Sequence, residues 1–132
     1  MAYGRIAAVG KCTPSIGSFS NETVILTDDN ILCFTGDLDS VTTTGQRALF
    51  QLPNVIPYPS GVINFEACYL EGGTFKSGYF YINTSGVVGI RHAVTSAKIW
   101  FNGICVNLNN NFYNSTIGNN DMSAMTSPIN AR

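Results

Sequence analysis

Charge is scarce in this chain. Of 132 residues, 7 are basic and 8 acidic, so charged side chains make up 11%, against about 25% in an ordinary soluble domain. The net charge is −1. No basic excess exists to neutralise a phosphate backbone, which argues against nucleic acid as a partner. Long apolar runs are absent as well. No stretch approaches the roughly 18 residues of a membrane helix. Between Met1 and Cys12 the only apolar run is Ile6 to Val9, shorter than the ~7-residue minimum of a signal-peptide core. The expectation is synthesis in a cytosol, or an upstream part that is absent from this chain. Good helix formers are few, with Glu, Lys and Gln totalling 8. There is one histidine, no Cys-x-x-Cys pair and no Gly-x-Ser-x-Gly elbow.

What is present points to β-structure. Hydrophobic residues are 45% of the chain, which excludes disorder. Val, Ile and Thr total 33, and such β-branched side chains suit a pleated sheet better than a helix. Fourteen Asn and 13 Gly supply turns. The length fits one domain. Alternation and short apolar runs between turn signals predict nine strands. They are Arg5 to Val9, Thr23 to Thr27, Ile31 to Thr35, Arg47 to Leu52, Gly61 to Leu70, Gly78 to Asn83, Val87 to His92, Ala97 to Phe101 and Gly103 to Asn107. Asp28-Asp29-Asn30 and Thr84-Ser85-Gly86 read as hairpin turns, and Asn102-Gly103 as a third. The expected fold is all-β, a sandwich or jelly roll. Residues 118–132 lack any strand pattern, so the expected boundary sets a head at 1–117 before a flexible or partner-wrapping end.

Cys12, Cys33, Cys68 and Cys105 are 21, 35 and 37 residues apart. That spacing does not suggest a zinc site, so no metal or cofactor is expected. Their apolar settings predict buried, reduced thiols, with disulfides as the alternative. Each chemical candidate also has a plainer structural role. His92 lies in a predicted strand, where a core or interface hydrogen bond is the plainer reading. The eight carboxylates sit mostly in predicted turns, and Glu66 has no evident mate for glycoside hydrolysis. Asp37 and Asp39 suit a solvated loop better than a calcium site. Three Asn-x-Ser/Thr triplets are no more than chance gives in so Asn- and Thr-rich a chain. Catalysis is therefore not expected. Sugar binding asks for less: an aromatic face and a few planar polar groups. Trp100, Tyr79, Tyr81, His92, Arg91, Asn102 and the Asp37/Asp39 loop supply those materials. Tyr79, Tyr81 and Trp100 fall on the strand faces opposite Phe80, Ile82, Ile99 and Phe101, so they form a second aromatic surface that wants a partner.

Two segments carry a family likeness. Leu49-Phe50-Gln51-Leu52-Pro53 leads through Tyr58-Pro59 to Val62-Ile63-Asn64-Phe65. Gly78-Tyr79-Phe80-Tyr81-Ile82-Asn83-Thr84-Ser85-Gly86-Val87-Val88-Gly89-Ile90 then forms a hairpin. Together they resemble the C-terminal head domains of phage tail-fibre and receptor-binding proteins, notably of phages of lactococci and streptococci. The likeness spans residues 46–107. Ser85 stands where an Asp usually precedes the turn glycine, and the cysteine content is higher than such heads show. The resemblance implies a homotrimer of jelly-roll or TNF-like sandwiches at the tail tip or fibre of a virion, made in the host cytoplasm. It implies binding of a bacterial cell-wall saccharide without catalysis, and attachment to other tail or baseplate proteins through a region not in this chain. In such heads a Trp, a His, an Arg and an Asp often hold the sugar. Trp100 is thus the implied stacking platform, with His92, Arg91 and Asp37 as hydroxyl partners. Arg91 and His92 should face opposite sides of their strand, so both can serve only at a subunit boundary. The rival reading is a structural cap or capsid-decoration domain whose aromatics are all interface. A small hydrolase or secreted lectin-like module is a third.

Overall fold

A computed structural model describes residues 5–109. Among them the chain forms twelve strands and no helix. The strands are β1 (Ile6–Lys11), β2 (Thr13–Pro14), β3 (Ser18–Phe19), β4 (Thr23–Thr27), β5 (Ile31–Phe34) and β6 (Leu38–Thr43), followed by β7 (Arg47–Gln51), β8 (Ile63–Glu71), β9 (Thr74–Ile82), β10 (Val87–Ile90), β11 (Val94–Ile99) and β12 (Cys105–Asn107). The expected boundary at residue 117 and the end 118–132 lie outside the described residues.

All pairings are antiparallel. A four-stranded sheet runs β1-β4-β5-β12, and an eight-stranded sheet runs β2-β7-β10-β9-β8-β11-β6-β3. β2 and β3 stand at opposite margins of the large sheet, yet only residues 15–17 separate them. The chain spans at most about 3.6 Å per residue, so the two margins approach within a few residues' reach and the sheet is nearly a barrel. The all-β expectation therefore holds, as a sandwich whose larger layer almost closes.

Local chemistry places the turns. Asp28 to Asn30 joins β4 to β5, with Asn30 at φ 64°, a conformation Asn tolerates better than most residues. At Thr84-Ser85-Gly86, Asn83 Oδ1 accepts the N–H groups of Ser85 (2.9 Å) and Val87 (3.0 Å). β8 and β9 form the longest hairpin, closed by Gly72 and Gly73 at φ 58° and 79°. Two successive positive φ angles define a type I′ turn, which glycine adopts without a Cβ penalty.

The inward faces meet in an aromatic cluster. Phe101 is fully buried. Its ring centroid lies 5.4 Å from Phe34, 5.3 Å from Phe50, 6.3 Å from Phe65 and 5.2 Å from Phe80. Burying each ring contributes on the order of 2 to 3 kcal/mol. Leu32, Leu38, Leu49, Ile63, Ile82, Val88, Ile90 and Ile99 complete the core.

Three sequence expectations are corrected. Asn102-Gly103 makes a turn but not a hairpin: β11 belongs to the large sheet and β12 to the small one. Burial of Phe101 carries the chain across the core, and Gly103 N–H bonds Phe34 O at 2.9 Å. The loop expected from Thr35 to Ser40 gives way to strand β6 at Leu38. Leu38, Val41 and Thr43 face inward, and Ser40 at φ 62° marks a bulge that breaks their alternation. The cysteines are all free, but only Cys12 is buried. Cys33, Cys68 and Cys105 alternate with inward residues, so strand parity turns them away from the core. Burial pushes the Cys12 thiol up to about 12, helped by the nearby Glu22 charge.

Candidate functional site

The outer face of the large sheet carries the chemistry. On β9, Phe80 and Ile82 point inward, so Tyr79 and Tyr81 point outward. Register sets their neighbours: Glu66 pairs with Tyr79 and Asn64 with Tyr81 across β8, and Gly89 pairs with Tyr81 across β10. Arg91 follows the end of β10, and its N–H bonds Tyr79 O at 2.9 Å.

Arg91 is held rigidly for an exposed residue. Its Nη2 donates to Asn64 Oδ1 at 2.7 Å and its Nη1 to Gln46 Oε1 at 3.1 Å. Its Cζ lies 4.5 Å from the centre of the Tyr81 ring. Tyr81 is only 8% exposed, because its ring fills the space where Gly89 has no side chain. Ring and guanidinium thus attract as cation and π-face. Two of the five guanidinium N–H groups are committed to these bonds, which leaves three donors on an exposed residue. Beside it, Tyr79 is 53% exposed, with Glu66 on its other flank. Tyr79 thus lies between Arg91 and Glu66 in cross-strand register.

His92 sits behind this row. Tyr79 N–H donates to its Nε2 at 3.1 Å, and its Nδ1 lies 3.2 Å from Ala93 O. A ring that accepts at Nε2 carries its proton on Nδ1, so both nitrogens are engaged. The ring packs against Tyr79 (5.9 Å, edge-on) and Tyr69 (5.7 Å). Thr43 Oγ1 donates to His92 O at 2.9 Å and accepts Val94 N–H at 3.1 Å. His92 therefore orients Tyr79. Arg91 and His92 both lie in a bend just past β10, so the strand expected to run to His92 ends at Ile90 and strand parity does not assign their faces.

Trp100 lies further along the same surface. Its N–H bonds Cys68 O at 2.9 Å, and its ring packs against Phe75 at 4.9 Å, tilted by 49°. Phe75 shares the outward parity of Tyr79 and is 59% exposed, while Trp100 is 36% exposed. One strand, β8, lies between the end of β11 and β9, so Trp100 is two inter-strand spacings from β9 and one side-chain row along from Tyr79. Strand spacing of about 4.8 Å and a two-residue rise of about 6.8 Å give a backbone separation of roughly 12 Å. Asp37 belongs to the Trp100 end: its Oδ1 accepts Asn102 N–H at 3.1 Å, and its own N–H donates to Ser20 Oγ at 2.9 Å. The six expected residues thus form two groups, Arg91/Tyr79/Tyr81/His92 and Trp100/Asp37.

Sequence reasoning missed Asn64, Gln46 and Phe75, and weighed Glu66 only as a hydrolytic acid. Their roles depend on cross-strand register, which no local pattern displays. It also missed an open cavity of about 420 Å³ lined by Asn30, Pro57, Tyr58, Pro59, Leu108 and Asn109. Tyr58 there is structural: its hydroxyl donates to Leu52 O at 3.2 Å. Among the described residues, no three His, Cys, Asp or Glu side chains gather to hold a metal ion, and no helix is long and apolar enough to cross a membrane.

No protein-family model matches the chain, and neither does any curated protein. Among solved structures, it is similar to the receptor binding protein (gp15) of Listeria phage PSA, with 17% sequence identity and a TM-score of 0.57. The match covers 74% of this chain and 62% of that one, so this chain spans less than two thirds of the neighbour's length. The likeness is one of fold: the all-β architecture built here is shared with a phage receptor binding protein.

Proposed function

We propose that this chain is the receptor-binding head of a phage tail protein, recognising a saccharide of the bacterial cell surface without catalysis. The observation that carries the reading is the outer face of the large sheet. There Tyr79 lies exposed between Arg91 and Glu66 on the kind of fold found in a phage receptor binding protein. Tyr79 stacks on the C–H face of a sugar ring, Arg91 donates to its hydroxyls and Glu66 accepts from them. Trp100 and Phe75, roughly 12 Å away, serve a second ring, so the ligand is an extended oligosaccharide. The low charge of the chain fits a virion tip made soluble by Asn, Ser and Thr. A homotrimer of jelly-roll type would multiply weak contacts through avidity.

The test is binding of purified cell-wall polysaccharide by the intact chain and by Tyr79→Ala and Arg91→Ala. Loss of binding in both, with solution mass unchanged near three times 14.2 kDa, supports the head. Undiminished binding in both removes the platform. Release of reducing ends on long incubation overturns the non-enzymatic reading. The structural-cap reading rests on the exposed Phe75–Trp100 pair, and gains if no surface glycan binds and Phe75→Ala dissociates the oligomer.

A further inference from the structure

We propose that Cys33 and Cys105 form a reversible cross-strand disulfide when the protein meets a small-molecule disulfide such as oxidised glutathione. The inference is independent of the saccharide reading and rests on the small sheet. β5 and β12 are antiparallel, and Cys33 and Cys105 are direct partners in their register. Phe34 N–H bonds Ile104 O at 3.0 Å, and Leu108 N–H bonds Asn30 O at 2.9 Å. Hydrogen-bonded pairs alternate along an antiparallel ladder, so the pair 33/105 is a non-hydrogen-bonded one. In such pairs the Cα atoms stand about 4.5 Å apart, with side chains closest. That falls at the short end of the disulfide range of about 4.4 to 6.8 Å.

Both sulfurs lie on the same outward face, because Leu32, Phe34 and Val106 take the inner one. Cys105 is exposed and Cys33 half-buried, and the two are direct cross-strand neighbours. Among the described strands no other two cysteines share a register position. Cys12 is buried, and Cys68 is in the large sheet. Burial, together with the Cys105 neighbour, pushes the Cys33 thiol up to about 11, so the exposed Cys105 is the better first nucleophile.

The chemistry is two exchanges. The Cys105 thiolate attacks one sulfur of glutathione disulfide, the S–S bond breaks and one glutathione thiolate leaves. The Cys33 thiolate then attacks the Cys105 sulfur and expels the second. The protons of both cysteine thiols end on the two glutathiones, and the two electrons lost by the protein reduce the glutathione disulfide. Tight cross-strand geometry and exposure make the product easy to reduce again. The bond closes a long chain loop and pins β12 to β5, so the oxidised form should melt on the order of 10 °C higher.

The experiment equilibrates the full chain in glutathione buffers of increasing oxidation. It reads intact mass, non-reduced peptide maps and melting temperature, and repeats the series with Cys33→Ser. Support is a loss of two hydrogens, a peptide joining residues 33 and 105, a raised melting temperature and recovery of all four thiols with mild reductant. The proposal is overturned by a stable glutathione adduct on Cys105 with no internal bond. It is equally overturned by four alkylatable thiols at every poise, or by pairing through Cys12 or Cys68. The peptide map of the unmutated chain decides the matter even if Cys33→Ser folds poorly.

Discussion

Gly89→Ala tests the candidate site without deleting any group proposed to touch a ligand. A Cβ at position 89 falls inside the van der Waals envelope of the Tyr81 ring tip. The ring must withdraw by on the order of 1 Å to restore ordinary contact in a close-packed layer. The Arg91 guanidinium rests on this ring at 4.5 Å, so a shift of the ring disturbs its bonds to Asn64 and Gln46. Overpacking costs about 1 to 3 kcal/mol, and the lost cation–π contact adds about 0.5 to 1. Replacing a strand glycine by alanine returns about 0.5 to 1. The net loss of stability is about 1 to 3 kcal/mol, which a domain of ordinary stability survives. Binding suffers more, because a misplaced Arg91 forfeits charge-assisted hydrogen bonds worth about 1.5 to 3 kcal/mol each, at least tenfold in affinity. The assay is titration calorimetry with cell-wall polysaccharide beside urea unfolding followed by Trp100 fluorescence. A variant that unfolds cooperatively yet binds within about twofold of the parent refutes the reasoning.

Other outcomes follow from the same structure. Phe101→Ala removes the ring shared by Phe34, Phe50, Phe65 and Phe80 and should cost about 3 to 5 kcal/mol in urea unfolding. Thr43→Val keeps the shape but leaves His92 O and Val94 N–H unpartnered, for about 1 to 3 kcal/mol by the same measurement. The lowered Glu71 pKa means its ion pair with Lys76 (2.7 Å) stabilises the fold above the ordinary glutamate value of 4.5. That contribution fades as pH falls through the lowered value. Melting curves of Glu71→Gln should therefore match the parent in acid and fall below it at neutral pH.

Strand parity was the legible part of this chain. The sequence of β9 shows that Phe80 and Ile82 oppose Tyr79 and Tyr81, and the Asp28-Asp29-Asn30 and Thr84-Ser85-Gly86 turns are marked by their own residues. Tyr79 and Tyr81 share the outer face of β9 for that reason. Partners across strands were not legible, because register is settled by the whole sheet. Glu66, Asn64 and Gln46 lie 13 to 45 positions from the residues they flank or hold. β6 was hidden by its polar outward residues and its bulge. Gly72-Gly73 was a hairpin signal that local reading could have used, since it extends β9 back to Thr74. At Asn102-Gly103 a turn was read correctly, but only Gly103 takes a positive φ, so it is not the type I′ turn a hairpin uses. Its destination was misread, because burial of Phe101 outweighs local hairpin preference.

The near-closure of the large sheet determines where this protein can be extended by another chain. Two-residue strands seal both margins of that sheet, and very short edge strands are poor templates for pairing. Open rows of backbone amides and carbonyls among the described strands belong instead to the small sheet, on the outer sides of β1 and β12. β1 also exposes Ile6 and Val9, and only Lys11 at its end carries a charge to discourage docking. Strand-by-strand growth into aggregates, or capture of a foreign strand, would therefore begin at the small sheet. The aromatic face would stay clear of it.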